Sequence, residues 1–200
     1  MPPRRAPGLV VHDLTPDRWP DVERLFGPRG ACAGCWCMFW RLDAGERFDD
    51  VKGDAARRRF RALVRADRAH GVIAYAGDEP VGWATYDRRR DLPRLDRAPS
   101  LACDDADQVW SLPCFFVKSG WRGRGVATTL LDGALAALRD RGARVVEAYP
   151  VKLTGDGRMP AAFVYTGVPA LFERAGFVSV AARPRGKQRY RRTLRRRTTR

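Results

Sequence analysis

Residues 122–127, Arg-Gly-Arg-Gly-Val-Ala, are the part of the sequence whose types and spacing most directly suggest chemistry. They follow the apolar run 115–117 and open a long amphipathic segment, so we predict a strand, a glycine-rich turn and a helix start in that order. Glycines let the backbone approach a ligand closely, and the N–H groups of a first helical turn attract negative charge. The stretch therefore predicts a site for a phosphate-bearing ligand, to which Arg122 and Arg124 add positive side chains.

The apolar residues elsewhere follow helical or alternating patterns, which predict the elements that must position this turn. In chain order we predict a strand at 9–14, a helix from an N-cap at Thr15 to about Phe26, a helix at 54–70, a hairpin of strands 72–76 and 81–86, a strand at 109–117, the helix after the turn, a strand at 144–151, a short helix at about 167–175, and strands near 177–183 and 188–194. Residues 87–107 and 152–164 are charged or Gly-rich and predict loops.

Pro113 interrupts the strand predicted at 109–117. Proline has no N–H to donate to a sheet ladder, so it is confined to sheet edges and bulges. We therefore predict a bulge or an edge in the strand that leads into the glycine-rich turn.

The turn resembles the acetyl-CoA-binding motif of the GCN5-related N-acetyltransferase (GNAT) family, Gln/Arg-x-x-Gly-x-Gly/Ala, with Arg122, Gly125 and Ala127 at its defined positions. The approach Val117-x-x-Gly120 and the later run at 170–177 also fit, so the resemblance extends over roughly residues 8–183. It implies an α/β fold: a mixed, mostly antiparallel central sheet flanked by helices, with a bulged strand before the cofactor loop.

The resemblance also implies how the chain is divided. We expect a single acetyltransferase-like domain at 1–183, which includes the N-terminal strand and a Cys/Trp-rich segment at 29–53, followed by a basic C-terminal strand and tail at 184–200.

The implied co-substrate is acetyl-CoA, with its pyrophosphate at the turn and its arm beside the preceding strand. The residues expected to bind it are Phe115, Val117, Arg122, Gly123, Arg124, Gly125, Val126, Ala127 and Thr128. In the family an N–H of this strand polarises the thioester carbonyl, and by position Val117 is the expected donor here.

The resemblance implies direct transfer of the acetyl group to an amine in a ternary complex. An amine attacks only as the neutral base, so a carboxylate or a water relay must accept its proton, and Glu147 is the leading candidate. The tyrosine that usually acts as general acid is replaced by Phe172, which cannot protonate a thiolate. Tyr165 and Tyr149 are the candidate substitutes, unless the thiolate leaves without help.

Segment 29–53 is dense in aromatic residues, which is unusual for a solvent-exposed loop. In the resembling family this region helps to form the acceptor site, so Trp36, Trp40 and Arg41 are candidate acceptor-binding residues, with core packing as the alternative. Three cysteines lie in the same segment, but zinc usually needs four ligands and no second Cys/His cluster appears. We therefore expect no metal.

The net charge of +15 is concentrated toward the basic segment 183–200. Aromatic residues barely interleave it, which disfavours nucleic acid, although the basic run leaves such a contact open. The expected partner is a small-molecule or peptide amine, and a homodimer stays open. A non-catalytic module that binds acyl-CoA or nucleic acid on the same fold is the alternative function. With no secretory signal or membrane-length apolar run, the expected location is the cytoplasm.

Overall fold

The structure is a computed structural model and describes residues 8–152, 164–181 and 183–195. Within these ranges the chain forms both helices and strands, and short 3-10 turns fill several of the connections. Their bounds are β1 Leu9–Asp13, α1 Trp19–Phe26, α2 Phe48–Val51, α3 Asp54–Arg65, β2 His70–Ala76, β3 Glu79–Arg88, β4 Val109–Val117, α4 Val126–Asp140, β5 Val145–Ala148, β6 Val151–Lys152, α5 Pro169–Arg174, β7 Val178–Ala181, β8 Gly186–Lys187 and β9 Arg189–Thr193.

Seven of these strands form one mixed sheet in the order β1-β2-β3-β4-β5-β9-β7. Each neighbouring pair is antiparallel except β4 and β5, which are parallel. The predicted fold class, a mixed and mostly antiparallel sheet flanked by helices, is confirmed. The basic strand β9 lies between β5 and β7, so it is an interior strand of the sheet. Strands β6 and β8 form a separate two-stranded ladder.

Helices cover both faces of this sheet because the side chains of each strand alternate between the faces. In β3, Ala84 and Tyr86 join the core formed with α4, whereas Trp83 joins the core formed with α1 and α3. In the described parts of the chain, no helix is long and apolar enough to cross a membrane.

Strand β4 carries the predicted bulge. Thr85 of β3 pairs with Cys114, while Asp87 pairs with Ser111, so two steps along β3 correspond to three along β4. The extra residue falls next to Pro113, which cannot donate to the ladder. Pairing between β4 and β5 ends at Leu112, and β4 continues for five more residues without β5 beside it.

One of the predicted helix bounds was wrong. The helix predicted at 54–70 ends at Arg65, because Asp67 adopts a left-handed φ of 51° and His70 already pairs in β2. The first helix keeps its predicted bounds: Thr15 is the N-cap of a 3-10 turn at Pro16–Arg18, which continues into α1 and ends at Phe26, although the Thr15 side chain makes no capping hydrogen bond.

Three predictions about strands and loops also need correction or fall outside the structure. The strand predicted at 144–151 is broken after Ala148, near Pro150, and its end becomes β6. The loop predicted at 87–107 contains 3-10 turns and buries Leu92 and Leu95 completely, so it packs as part of the core. Most of the loop predicted at 152–164 lies outside the described residues.

Gly82 lets α4 lie close against β3, because a Cβ there would be 2.6 Å from Val126 Cγ1 and 2.9 Å from Leu130 Cδ1. We predict that Gly82→Ala lowers the free energy of unfolding by about 1–3 kcal/mol, since overpacking strains a filled core. Chemical denaturation measures this change. Gly120→Ala is the control, because no atom of the described residues lies within 4 Å of a Cβ there. An equal loss in both variants would contradict the close approach.

Candidate functional site

The glycine-rich turn leaves backbone donors free at the start of α4. Gly125 precedes the helix in the left-handed conformation, with φ 82° and ψ 0°, and no side chain caps the helix. The first helical hydrogen bond runs from Thr129 N to Gly125 O at 3.0 Å. The N–H groups of Val126, Ala127 and Thr128 therefore lack helical acceptors, as in any uncapped first turn.

The charge around the turn is positive. No acidic residue lies in the first turn of α4, and the helix dipole adds partial positive charge there. Arg122 and Arg124 are exposed; Arg122 Nε donates to Val117 O at 3.3 Å, and Arg124 lies over the ring of Trp121 at 5.4 Å. Free N–H groups beside two arginines suit a phosphate or pyrophosphate group. Val126 has a buried side chain, so it can offer only its backbone.

The end of β4 presents backbone groups on the edge that β5 leaves uncovered. Lys118 N donates to Val81 O of β3 at 3.0 Å, and N–H directions alternate along a strand. The N–H groups of Val117 and Phe115 therefore point away from β3. Phe115 N donates to Tyr165 O at 2.6 Å, so the chain itself fills that position. The edge at Val117 faces the space that β5 would have occupied.

Next to this edge lies a group of three aromatic side chains, Phe39, Trp40 and Tyr165, which we call the aromatic box. The ring centroids of Trp40 and Tyr165 are 6.3 Å apart, and Phe39 lies 5.1 Å from Trp40 and 6.4 Å from Tyr165. The ammonium of Lys187 is 5.4 Å from the Tyr165 ring and 5.7 Å from the Trp40 ring. The structure thus brings the predicted residues Trp40 and Tyr165 together.

Sequence reasoning missed Lys187 and Phe39. Lys187 lies in a run of basic residues, and nothing in its immediate sequence distinguishes it from its neighbours. Phe39 belongs to the aromatic segment that was singled out, but no spacing rule separates the rings that meet Tyr165 from those that do not.

The other two predicted acceptor-binding residues are placed elsewhere. Trp36 is buried between α1 and α3, with its ring 6.1 Å from Trp19 and 5.4 Å from Phe26. Arg41 is buried and forms an ion pair with Asp87, whose second carboxylate oxygen is 2.7 Å from His70 Nδ1. Neither residue joins the aromatic box.

Glu147 is completely buried on β5, between three arginines. Its carboxylate oxygens lie 3.2 Å from Arg189 Nε, 3.6 Å from Arg191 Nε and 3.8 Å from Arg89 Nη1. Within the described residues, neither oxygen accepts a hydrogen bond of normal geometry. Burial raises the pKa of Glu147, and the attraction of the arginines opposes that rise.

Tyr149 belongs to the same buried cluster as Glu147. Its hydroxyl accepts a hydrogen bond from Arg89 Nη1 at 2.7 Å and is 2.7 Å from Ser111 Oγ. Phe172, which stands where the family usually has a tyrosine, is buried in the α4 core with its ring 5.9 Å from that of Phe115. It therefore acts as a packing residue.

The cysteines of segment 29–53 meet Cys114 of β4. Burial raises the pKa of Cys35 to about 12, and a hydrogen bond with Cys37, together with burial, raises the pKa of Cys114. These thiols stay protonated at neutral pH, and only the thiolate is a good nucleophile or metal ligand. In the described parts of the chain, no three His, Cys, Asp or Glu side chains are arranged to hold a metal ion.

Comparison with known families assigns the chain to the family that its fold and turn indicate. The model of the Acetyltransferase (GNAT) family matches residues 36–165, from the Cys/Trp-rich segment to Tyr165 of the aromatic box. The protein belongs to this acetyltransferase family. Among curated protein sequences, none matches.

Solved structures share the fold at low sequence identity. An acetyltransferase from Thermus thermophilus is 18% identical with a TM-score of 0.53, over 96% of this chain and 100% of that one. The yncA protein of Salmonella typhimurium, solved with acetyl-CoA, is 12% identical with a TM-score of 0.55, over 96% and 97% of the two chains. The paia N-acetyltransferase of Thermoplasma acidophilum, solved with coenzyme A, is 10% identical with a TM-score of 0.53, over 93% and 99%.

Gly125 gives a direct test of the turn as a cofactor site. Valine at this left-handed position costs about 1–3 kcal/mol of strain and adds a branched side chain where the backbone would approach a phosphate. We predict that Gly125→Val weakens coenzyme A binding at least about tenfold, which is a change of about 1.4 kcal/mol. Isothermal titration calorimetry measures the affinity.

The matched control for this prediction is Gly142→Val. Gly142 follows the other end of α4 with φ 74°, and no atom in the described part of the chain lies within 4 Å of a Cβ there, so valine carries similar strain away from the turn. Undiminished affinity in Gly125→Val, or an equal loss in Gly142→Val, would remove the turn as the binding site.

Proposed function

We propose that the protein is an N-acetyltransferase that moves an acetyl group from acetyl-CoA directly to an amine in a ternary complex. The observation that carries this proposal is the meeting of two features: the uncapped N–H groups of α4 and the uncovered edge of β4. Membership of the acetyltransferase family supports it, as do structural neighbours solved with acetyl-CoA and coenzyme A.

In this proposal the pyrophosphate binds the N–H groups of residues 126–128 together with Arg122 and Arg124. The pantetheine arm adds to the open edge of β4 as an extended peptide adds to a sheet edge, with Val117 as its backbone partner. An N–H that donates to the thioester carbonyl stabilises the developing oxyanion, typically by about 3–4 kcal/mol. The hydrogen bond from Arg122 to Val117 O already joins the turn to this edge.

Tyr165 is better placed than Tyr149 to act as the general acid, because it adjoins the open edge of β4. The carbonyl of Tyr165 bonds to Phe115 N on the open edge, whereas Tyr149 is held by Arg89 and Ser111 inside the buried cluster. Burial raises the pKa of Tyr165, so its phenol stays protonated at neutral pH. That is the form that can protonate a leaving thiolate.

Glu147 stays the predicted base, but its position restricts how it can act. Glu147 pairs with Ser111, which lies six residues before Val117 on β4. At about 3.3 Å per residue, the backbone beside Glu147 is roughly 20 Å from the backbone of Val117. A base at that distance must work through intervening groups. Its burial between arginines equally suits a role as the counter-charge of Arg89, Arg189 and Arg191.

Activity is tested with acetyl-CoA and a panel of amines that includes a polyamine, free amino acids and peptides with a free N-terminus or lysine. We expect release of coenzyme A, followed with a thiol reagent, and an acetylated amine seen by mass spectrometry. Gly125→Val should lower the rate together with coenzyme A affinity. Tight binding of coenzyme A without thiol release for any amine would favour the non-catalytic alternative.

Glu147→Gln tests the proton path, because it keeps the shape of the side chain and removes its basicity. If Glu147 accepts the proton, kcat falls by about 10²–10⁴-fold while coenzyme A affinity is unchanged. In the parent protein we expect kcat to fall as the pH drops through the pKa of Glu147, which burial raises above its usual range. This fall on the acidic side of the pH profile should be absent in the variant.

Asp105→Asn is the control for loss of an arginine partner. Asp105 accepts hydrogen bonds from Arg191 at 2.6 and 2.8 Å, so the variant disturbs Arg191 without changing Glu147. If Glu147→Gln and Asp105→Asn give the same kcat and pH profile, once the folded fraction is accounted for, Glu147 is not the base.

A further inference from the structure

Lys187 holds its ammonium against the aromatic box. The nitrogen is 5.4 Å from the Tyr165 ring and 5.7 Å from the Trp40 ring, and the side chain is half-buried. Within the described residues no carboxylate forms an ion pair with it, and burial lowers the pKa of Lys187 without an opposing acidic neighbour. The attraction to the aromatic faces compensates only part of the hydration free energy that the ammonium loses on burial.

Trp40 supplies a second donor without an acceptor among the described residues, and Arg94 adds positive charge nearby. Trp40 is 6% exposed, and its Nε1 has no hydrogen-bond partner within the described residues. Arg94 lies 4.0 Å from the ring of Phe39, and its pKa is lowered by burial and by the nearby Arg97. The site therefore collects positive charge, and within the described residues its buried indole N–H lacks the acceptor that buried polar groups normally find.

The box adjoins the end of the proposed site where the acetyl group is transferred. Tyr165 contributes both its ring to the box and its carbonyl to Phe115 N on β4. Lys187 lies on β8 and pairs with Val151, whose N donates to Gly167 O two residues beyond Tyr165. The pyrophosphate is proposed to bind at the start of α4, so this second positive site is available to the acceptor.

We propose that Lys187 and Trp40 bind a carboxylate of the acceptor, so that the amine acetylated by this protein also carries a carboxylate group. The inference rests on the proposed function, because it names the substrate class of the same site. One ammonium and one indole N–H match the single charge of a carboxylate, and charge-assisted hydrogen bonds of this kind are the strong ones. The aromatic rings would pack against the apolar part of the acceptor.

The first test compares amino acids with their carboxamides as acetyl acceptors, using L-phenylalanine, L-methionine and 5-aminopentanoate. We expect the acids to have a kcat/KM about 10–100-fold above that of the amides, the range for a charged hydrogen bond in a shielded site. Lys187→Met should bring this ratio close to one, and Lys187→Arg should keep most of it. Lys152→Met, an exposed lysine on the neighbouring strand β6, is the control and should leave the ratio as it is.

The second test does not depend on turnover. Calorimetry with 3-phenylpropanoate and 3-phenylpropanamide should show binding of the acid only, and Lys187→Met should lose it while the melting temperature stays near that of the parent. No binding of the acid, or binding retained in Lys187→Met, overturns the inference. If the carboxamides are acetylated as fast as the corresponding acids, the inference is also overturned, whereas the proposed function still holds. Binding of the acid without acetylation of any amine would instead remove the proposed function.

Discussion

The central constraint on this molecule is that β4 loses its parallel neighbour halfway along. Buried backbone N–H and C=O groups must find partners, and a strand that outlasts its neighbour leaves a row of them unpaired. Here β5 stops at Ala148, and β4 continues to Val117. The N–H of Phe115 donates to the carbonyl of Tyr165, and the carbonyl of Val117 accepts a hydrogen bond from Arg122. The remaining edge is where a ligand with its own amide groups can complete the sheet.

The bulge beside Pro113 and the close approach at Gly82 both serve this arrangement. The bulge redirects β4 just where β5 ends, and the missing side chain at Gly82 allows α4 to sit on β3. Together they place the start of α4 next to the last residues of β4. A turn with free N–H groups is common in proteins, but one fixed beside an open strand edge can hold both ends of a long, charged cofactor.

Some of the positive charge is paired inside the protein. Arg89 is completely buried and bonds to Tyr149 and to the carbonyl of Leu101, while Arg191 forms two hydrogen bonds with Asp105. Arginine suits such positions because its planar head can serve several acceptors at once and stays charged. Part of the basic segment that includes β9 therefore balances the negative charge of Glu147, because Arg189 and Arg191 lie beside its carboxylate. Composition alone could not separate these paired arginines from Lys187, which has no ion-pair partner among the described residues.

The sequence was sufficient for the elements whose signals are local. Glycine spacing located the turn, Pro113 located the bulge, and the alternation of apolar residues located β2, β3 and β4. The end of α3 was missed because the apolar pattern runs on past Arg65, while the left-handed Asp67 that ends the helix carries no strong signal. Only part of the candidate acceptor site was predicted from the sequence, which indicated Trp40 but neither Phe39 nor Lys187. The aromatic density of segment 29–53 marked Trp36 and Trp40 alike, but only the packing of α1 against α3 decides that Trp36 is a core residue. Lys187 reaches the box because the ladder of β6 and β8 brings it back across more than a hundred residues of chain from Trp40.

The hydrogen bond between Phe115 N and Tyr165 O joins the open edge of β4 to the aromatic box. One N–H cannot serve two carbonyls fully, so a thioester oxygen that reached Phe115 would have to displace Tyr165. The ring of Tyr165 would then shift against Trp40 and Lys187, and the acceptor's affinity would change with it. By reciprocity the acceptor would alter the affinity for the donor by the same factor. A single backbone contact would then set how strongly the binding of one substrate favours or opposes the binding of the other.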